Sequence, residues 1–142
     1  MSATLTIRAF HERDTEAVIA LWRDVFPDEP ERNESASLIR TKLTQQRDTF
    51  LVCEMDGRVV GTVMAGFDGV RGWVHKVAAH PDYRRQGVAR QLMSAAEHAL
   101  AAKGCRKLNL QVRAGNTSAV RFYQDAGYQI EDRVSMGKEL SR

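Results

Sequence analysis

The 142-residue sequence is poor in the residues that build cross-linked, metal-dependent or membrane-spanning proteins. Its two cysteines, Cys53 and Cys105, are too few for a disulfide framework, and no cysteine or histidine spacing is typical of a metal site. No apolar run approaches the ~18 residues that a membrane-spanning helix needs, and no signal-peptide pattern precedes Thr4. We therefore expect a cytoplasmic protein with no metal and no membrane partner.

Strong charge of either sign is also lacking. The formal net charge is +3 and the isoelectric point about 9.1. This mild excess of positive charge suits an anionic small ligand but is far from the dense basic surface of nucleic-acid-binding proteins. Hydrophobic residues make up 43% of the chain, enough for a folded core. We expect one domain over residues 1–142, with no nucleic-acid partner.

Strand and helix patterns alternate along the chain. Strand patterns cover residues 4–10, 49–55, 59–67, 73–79 and 108–112, and 128–135 with 136–140 would supply one long or two short final strands. Helical patterns run from an N-cap at Asp14 to a stop at Pro27, over about 35–45, from 88 to a C-cap at Gly104, and over 117–126. The predicted order is β-α-α-β-β-β-α-β-α-β. The expected fold class is therefore α/β in the broad sense, with the mostly antiparallel strand pairing of α+β folds.

A basic turn separates the strand 73–79 from the next helix, and its sequence is Arg84-Arg85-Gln86-Gly87-Val88-Ala89. Free N–H groups at a helix start and the helix dipole attract anions. Glycine lets the backbone approach a bulky ligand, and arginine forks match phosphate oxygens. The turn therefore predicts a phosphate-bearing ligand, with a plain basic surface turn as the alternative.

The turn resembles the acetyl-CoA pyrophosphate loop of the GNAT superfamily of N-acetyltransferases. That loop has the form (Gln/Arg)-x-x-Gly-x-(Gly/Ala) between the fourth strand and the third helix. Two competing phosphate motifs, G-x-x-x-x-G-K-[ST] and G-x-G-x-x-G after a strand, are absent from the sequence. A single hexapeptide is only moderately specific, so the rest of the chain has to agree.

A second block agrees with the first. The spacing Asn116-x-x-Ala119-x-x-x-Tyr123-x-x-x-Gly127-Tyr128 resembles the family's second cofactor motif, whose asparagine and tyrosine approach the pantetheine end of the cofactor. Two motifs in the right order, separated by a strand, are much more specific than either alone. The resemblance covers essentially the whole chain, which has the length of small stand-alone bacterial members.

The resemblance implies a GNAT fold: a mixed, mostly antiparallel sheet with one splayed parallel strand pair, flanked by about four helices. It implies direct acetyl transfer from acetyl-CoA, as co-substrate, to a primary amine of a small molecule or peptide, and it is compatible with a homodimer. Cofactor contacts would come from Val77, Ala79, Arg84, Arg85, Gln86, Gly87, Val88, Ala89, Asn116 and Tyr123.

Tyr123 is the candidate catalytic acid. The pKa of a phenol, near ~10, lies close to that of a leaving thiol, so a tyrosine can return a proton to it. Without the motif, a tyrosine at helical spacing is more simply a core aromatic.

The candidate base is His75, on the central strand, although a strand histidine is often structural. Ribosomal-protein N-terminal acetyltransferases carry a glutamate where Gln111 stands, and other members carry one where Trp73 stands. Glutamine cannot take a proton at neutral pH. A water-mediated route, or an amine that arrives neutral, therefore stays open.

Two alternatives to a small-molecule or peptide acetyltransferase remain from the sequence. One is an N-terminal acetyltransferase of the ribosomal type, which Gln111 weakens. The other is a non-catalytic acetyl-CoA-binding sensor module, which the missing glutamate base allows. An acidic stretch at Asp28, Glu29 and Glu31 could attract a cationic amine, or it could be a solvated loop.

Overall fold

Strands and helices follow the predicted order as far as residue 127. The computed structural model describes residues 4–30 and 33–141. The strands are β1 (Leu5–Ala9), β2 (Phe50–Met55), β3 (Arg58–Phe67), β4 (Gly72–Ala79) and β5 (Leu108–Asn109). The helices are α1 (Thr15–Val25), α2 (Ser35–Lys42), α3 (Val88–Ala102) and α4 (Thr117–Asp125), with single-turn 3-10 helices at Glu12–Asp14, Arg47–Thr49 and Pro81–Tyr83.

The five strands form one mixed sheet in the order β1-β2-β3-β4-β5. The first three pairings are antiparallel, and β4 pairs with β5 in parallel. The parallel pairing is short, since it joins Gly72 to Leu108 and Trp73 to Asn109, while β4 continues to Ala79. The predicted fold class, with its single parallel strand pair, is confirmed.

Helices cover both faces of the sheet, because successive side chains of a strand point to opposite faces and each face needs a cover. On one face, the Phe50 ring of β2 stacks on Phe10 at 4.4 Å and on Trp22 of α1 at 6.0 Å between centroids. On the other face, α3 packs across β3 and β4. It contributes a buried stripe at helical spacing, made of Val88, Leu92, Met93, Ala96 and Leu100.

Contacts divide the chain into two units. The first, Met1–Leu110, contains the whole sheet and α1 to α3. The second, Gln111–Arg142, contains α4. Within the second unit the helix is capped by Asn116, whose side-chain oxygen accepts the N–H of Ala119. The helix is followed by Gly127, whose positive φ of 99° lets the chain reverse.

Residues 128–135 and 136–140, predicted as one long or two short final strands, form no strand. No strand is present in residues 128–141, and four large apolar side chains there are 76–90% exposed: Ile130, Val134, Met136 and Leu140. Alternation of apolar residues is only a propensity, because a strand also needs a neighbour to pair with and a surface to bury its apolar face. Neither is supplied here, so the prediction from periodicity was wrong.

None of the helices in the part of the chain that the structure describes is both long and apolar enough to cross a membrane.

Gly61 sets how closely α3 approaches the sheet. A Cβ at this position would lie 2.5 Å from Val88 Cγ1, 2.9 Å from Leu92 Cδ1 and 2.9 Å from the carbonyl oxygen of Ala78. Two of these atoms belong to the α3 stripe and the third to the backbone of β4, so little room can open. The missing side chain is therefore what lets helix and sheet meet at this point.

We expect Gly61→Ala to lower the free energy of unfolding by about 1–3 kcal/mol, because the added methyl overpacks the helix–sheet contact. Gly66→Ala, on the same strand, is the matched control, since its Cβ would meet only side-chain atoms 3.7 and 3.8 Å away. That variant should be neutral or up to ~1 kcal/mol more stable. Urea unfolding compares the two, and equal midpoints would contradict the packing argument.

Candidate functional site

The basic turn leads directly into α3. Gly87 is the N-cap of α3, with φ 80°, and Arg85 also has a positive φ, of 67°. Arg84, Arg85 and Gln86 are exposed. A Cβ built on Gly87 meets nothing within 4 Å, so the backbone faces open space. The first N–H groups of α3 have no acceptor within the helix and can turn toward an anion.

The turn is fixed at both of its ends. At its start, the His80 side chain accepts the N–H of Asp82 at 3.1 Å, and the Tyr83 ring packs edge-on against His80. The Arg58 guanidinium lies 5.7 Å from the centre of the Tyr83 ring. At its end, Val88 is 2% exposed. Its side chain belongs to the core, so only its backbone is available to a ligand.

A β-bulge interrupts β4 just before the turn. In the pairing with β3, His75 lies opposite Met64 and Ala78 lies opposite Thr62. Between these two pairs, two residues of β4 therefore lie opposite one residue of β3. Lys76 takes up this extra residue with a φ of 54°, which is rare for a side chain other than glycine. The pairing with β5 ends at Trp73. The bulge therefore lies on a stretch of β4 that pairs only with β3.

The Lys76 side chain is buried on the side of α1, where it is 6% exposed. Its Nζ lies 3.1 Å from Glu29 Oε1, 4.5 Å from the centre of the Phe26 ring and 5.3 Å from that of Trp22. The other Glu29 oxygen accepts from Asn33 at 2.8 Å. The sequence did not predict this cluster, because a lysine in a strand and a glutamate in a loop carry no signal that they will meet.

A cavity of about 320 Å³ opens beside this cluster, between the end of α1, the start of α2 and Lys76. Of the acidic stretch, Glu29 lines the cavity but is neutralised by Lys76, and Asp28 is exposed. Glu31 lies outside the described residues. The stretch therefore does not form a set of uncompensated negative charges, at least among its described members.

His75, the candidate base, lies one residue before the bulge and is exposed. Partial desolvation lowers the pKa of its imidazole, and the positive charges of Lys42 and Lys76 lower it further. The imidazole is therefore neutral at pH 7, which is the form that can accept a proton.

In the second unit, Tyr123 lies on α4 with its ring edge-on to Phe122 and Tyr128. Burial raises the pKa of its phenol, so the hydroxyl stays protonated at neutral pH. Asn116 uses its side-chain oxygen to cap α4, which leaves its amide nitrogen as the group for any ligand contact. The Gln111 side-chain amide donates to the Ser135 hydroxyl.

Metal and thiol chemistry find no support among these residues. The described part of the chain contains no group of three or more histidine, cysteine, aspartate or glutamate side chains placed to hold a metal ion. Cys53 is buried, and burial raises its pKa to about 11, so it is a protonated core residue and not a nucleophile.

The chain resembles known acetyltransferases over nearly its full length. The model of the acetyltransferase (GNAT) family matches residues 15–128. An acetyltransferase of Yersinia pestis (strain Pestoides F) is 40% identical over 136 residues, covering 96% of each chain. An acetyltransferase of Sodalis glossinidius (strain morsitans) is 41% identical over 137 residues, again covering 96% of each.

Solved structures share the fold. Ard1 from Thermoplasma volcanium superposes with a TM-score of 0.80 and 26% identity, covering 89% of this chain and 84% of its own. The aminoglycoside N-acetyltransferase AAC(6')-Iy in complex with CoA gives a TM-score of 0.81 at 20% identity, covering 98% and 97%. With the family model and the two close relatives, these likenesses identify the chain as an N-acetyltransferase that belongs to the GNAT family.

Proposed function

We propose that the chain, as one domain over residues 1–142, transfers an acetyl group directly from acetyl-CoA to a primary amine of a small molecule or peptide. The observation that carries the proposal is that α3, with Gly87 as its N-cap, follows the bulged strand β4 in the chain. It offers helix N–H groups for a pyrophosphate and a strand edge for the pantetheine arm. The CoA bound to AAC(6')-Iy, a protein of the same fold, supports this choice of cofactor.

The pyrophosphate contacts come from the turn. Backbone N–H groups at Gly87, Val88 and Ala89 start the helix, and the open space beside Gly87 has room for phosphate oxygens. The exposed side chains of Arg84, Arg85 and Gln86 supply donors around them.

The pantetheine arm pairs with β4 as an additional strand would. Val77 and Ala79 supply the backbone groups, because this part of β4 lies beyond its pairing with β5. The N–H of Val77, at the bulge, donates to the thioester carbonyl oxygen and stabilises the negative charge that develops there. The family resemblance also assigns the Asn116 amide nitrogen and the Tyr123 hydroxyl to cofactor binding.

The transfer needs no covalent enzyme intermediate. A neutral amine attacks the thioester carbon, the C–N bond forms, and the C–S bond breaks as the tetrahedral intermediate collapses. His75 accepts the proton lost by the amine, and Tyr123 returns a proton to the leaving thiolate. The lowered pKa of His75 keeps its imidazole neutral and the raised pKa of Tyr123 keeps its phenol protonated, and these are the starting states of a base and an acid.

Transfer to ribosomal-protein N-termini is not favoured. The Gln111 amide donates to Ser135 and cannot accept a proton, so the glutamate-dependent route has no counterpart at this position.

Release of free thiol from acetyl-CoA across a panel of amines, peptides and aminoglycosides tests the activity. We expect release with at least one amine. Tight acetyl-CoA binding without release across the whole panel would instead indicate a sensor module.

Gly87→Asp should weaken acetyl-CoA binding by about tenfold or more, equivalent to ~1.4 kcal/mol, because it places a carboxylate where phosphate binds. The matched control is Gly57→Asp in the β2–β3 turn. Gly57 has a similar φ of 75° and also nothing within 4 Å of its Cβ, so backbone strain is the same. Calorimetry on both folded variants decides the assignment, and unchanged affinity for Gly87→Asp would refute it.

Tyr123→Phe should lower kcat by ~10²–10⁴ while acetyl-CoA affinity changes little, because the ring stays and only the proton is lost. Tyr128→Phe, which removes a neighbouring phenol in contact with the same ring, is the control and should keep wild-type turnover. Near wild-type turnover in Tyr123→Phe under chemistry-limited conditions would end the acid assignment. Equal losses of turnover and binding would mean that Tyr123 positions the cofactor.

The pH profile reports on His75. Because the pKa is lowered, kcat/KM should have a rising limb with an apparent pKa below the usual 6.5, separate from the limb near ~10 that ionisation of the acceptor amine adds. His75→Gln should remove the lower of these limbs and lower the plateau by ~10²–10⁴. His98→Gln, on the exposed side of α3, should leave the profile unchanged. An acidic limb that persists in His75→Gln would show that another group is the base.

A further inference from the structure

Three groups from three elements form a hydrogen-bonded chain that ends at the bulge of β4. The indole Nε1 of Trp22, on α1, lies 2.8 Å from the hydroxyl of Thr62, on β3. That hydroxyl lies 2.8 Å from the backbone carbonyl oxygen of Lys76. Trp22 is 1% exposed and Thr62 is fully buried, so water does not compete with either contact.

Only one arrangement of the hydrogens satisfies this chain. An indole nitrogen can only donate, and a backbone carbonyl can only accept. The Thr62 hydroxyl must therefore accept from Trp22 and donate to Lys76. Its rotation is fixed by Trp22, and hydrogen bonds linked in this way strengthen one another.

The bond to Thr62 also sets the direction of the next N–H group. In a planar trans peptide the C=O and the N–H of the same unit point in opposite directions, and the Lys76–Val77 peptide is trans. The Lys76 carbonyl points toward Thr62 on β3. The Val77 N–H therefore points away from β3, toward the other edge of β4.

The Lys76 backbone needs such support, because its φ of 54° is unfavourable for lysine. The Lys76 side chain supplies a second constraint through its ion pair with Glu29 and its contacts with the rings of Trp22 and Phe26. Trp22 thus acts on both ends of this residue, through Thr62 on the carbonyl and through its ring on the ammonium.

We propose that Thr62 is a positioning residue for acetyl transfer: its hydroxyl, held by Trp22, fixes the Lys76–Val77 peptide so that the Val77 N–H donates to the thioester carbonyl oxygen. The inference rests on the proposed function and adds to it a buried residue that never touches substrate. A hydrogen-bond donor that is fixed before binding stabilises a developing oxyanion without reorganisation.

Infrared spectroscopy of acetyl-CoA labelled with ¹³C at the thioester carbonyl tests the inference without any acceptor. On binding to the wild type, the carbonyl stretch should move to lower frequency, because the Val77 N–H polarises the bond. In Thr62→Val the stretch should return toward that of free acetyl-CoA, since the peptide loses its anchor. Thr62→Ser keeps the hydroxyl and should restore the shift.

Thr49→Val is the matched control. Thr49 is also fully buried, and its hydroxyl also donates to a backbone carbonyl of β3, that of Ala65. Both valine variants should unfold at lower temperature, because each removes a hydrogen bond from a buried hydroxyl to a backbone carbonyl. Only Thr62→Val should change the carbonyl stretch of the bound thioester.

With an amine that supports thiol release, Thr62→Val should lower kcat by about 10–100-fold, less than the ~10²–10³ lost when an oxyanion donor is removed. Its dissociation constant for acetyl-CoA should stay within about threefold of the wild type, since the lost interaction acts mainly in the transition state. Thr62→Ser should recover most of the turnover.

A bound carbonyl stretch that is the same in Thr62→Val and the wild type would overturn the inference while leaving the proposed function intact. Failure of the wild type to bind acetyl-CoA would instead overturn the proposed function itself. If Thr62→Val does not fold, Trp22→Phe removes the donor that orients the hydroxyl and keeps an aromatic ring. In that variant, a carbonyl stretch that moves part of the way toward the value of free acetyl-CoA supports the inference, and a stretch equal to that of the wild type contradicts it.

Discussion

The β-bulge at Lys76 is the constraint on which strand β4 depends. The strand pairs with β3 on both sides of the bulge, whereas it pairs with β5 over only two residues. The bulge inserts one residue and so changes which peptide groups of β4 face each edge. It imposes a positive φ on a lysine, and a buried hydroxyl and an ion pair hold that residue in place.

The ion pair also links a loop to the bulge. Glu29 belongs to the segment between α1 and α2 that lines the cavity, whereas Lys76 belongs to β4. Loss of the Glu29 charge would leave the buried Lys76 ammonium without its ion-pair partner, which is costly. Substitutions of Glu29 are therefore expected to affect the backbone of β4 at the bulge.

The sequence predicted the fold best where the signals are local. The Asp56-Gly57 turn has positive φ at both residues and Gly87 opens α3, each as expected from residues a few positions apart. Asp14 precedes α1 as expected, but its carboxylate accepts from Arg8 and from the His11 N–H and makes no cap hydrogen bond to that helix. The basic turn 84–89 is such a local signal, and the family membership that it indicates is confirmed. The catalytic roles of His75 and Tyr123 remain predictions, because no pattern of neighbours assigns a base or an acid.

By itself, then, the sequence determined the element order through residue 127 and the position of the basic turn, since hydrophobic period, turn residues and helix caps act over short stretches of chain. The parallel strand pair of the sheet was expected only from the family resemblance. Only the tertiary structure decided the bulge at Lys76, its pairing with Glu29 and the contact between Trp22 and Thr62, whose residues lie 40 positions apart. It also decided against strands in residues 128–141, where alternation found no partner. Long-range pairing depends on which surfaces meet, and no local period encodes that.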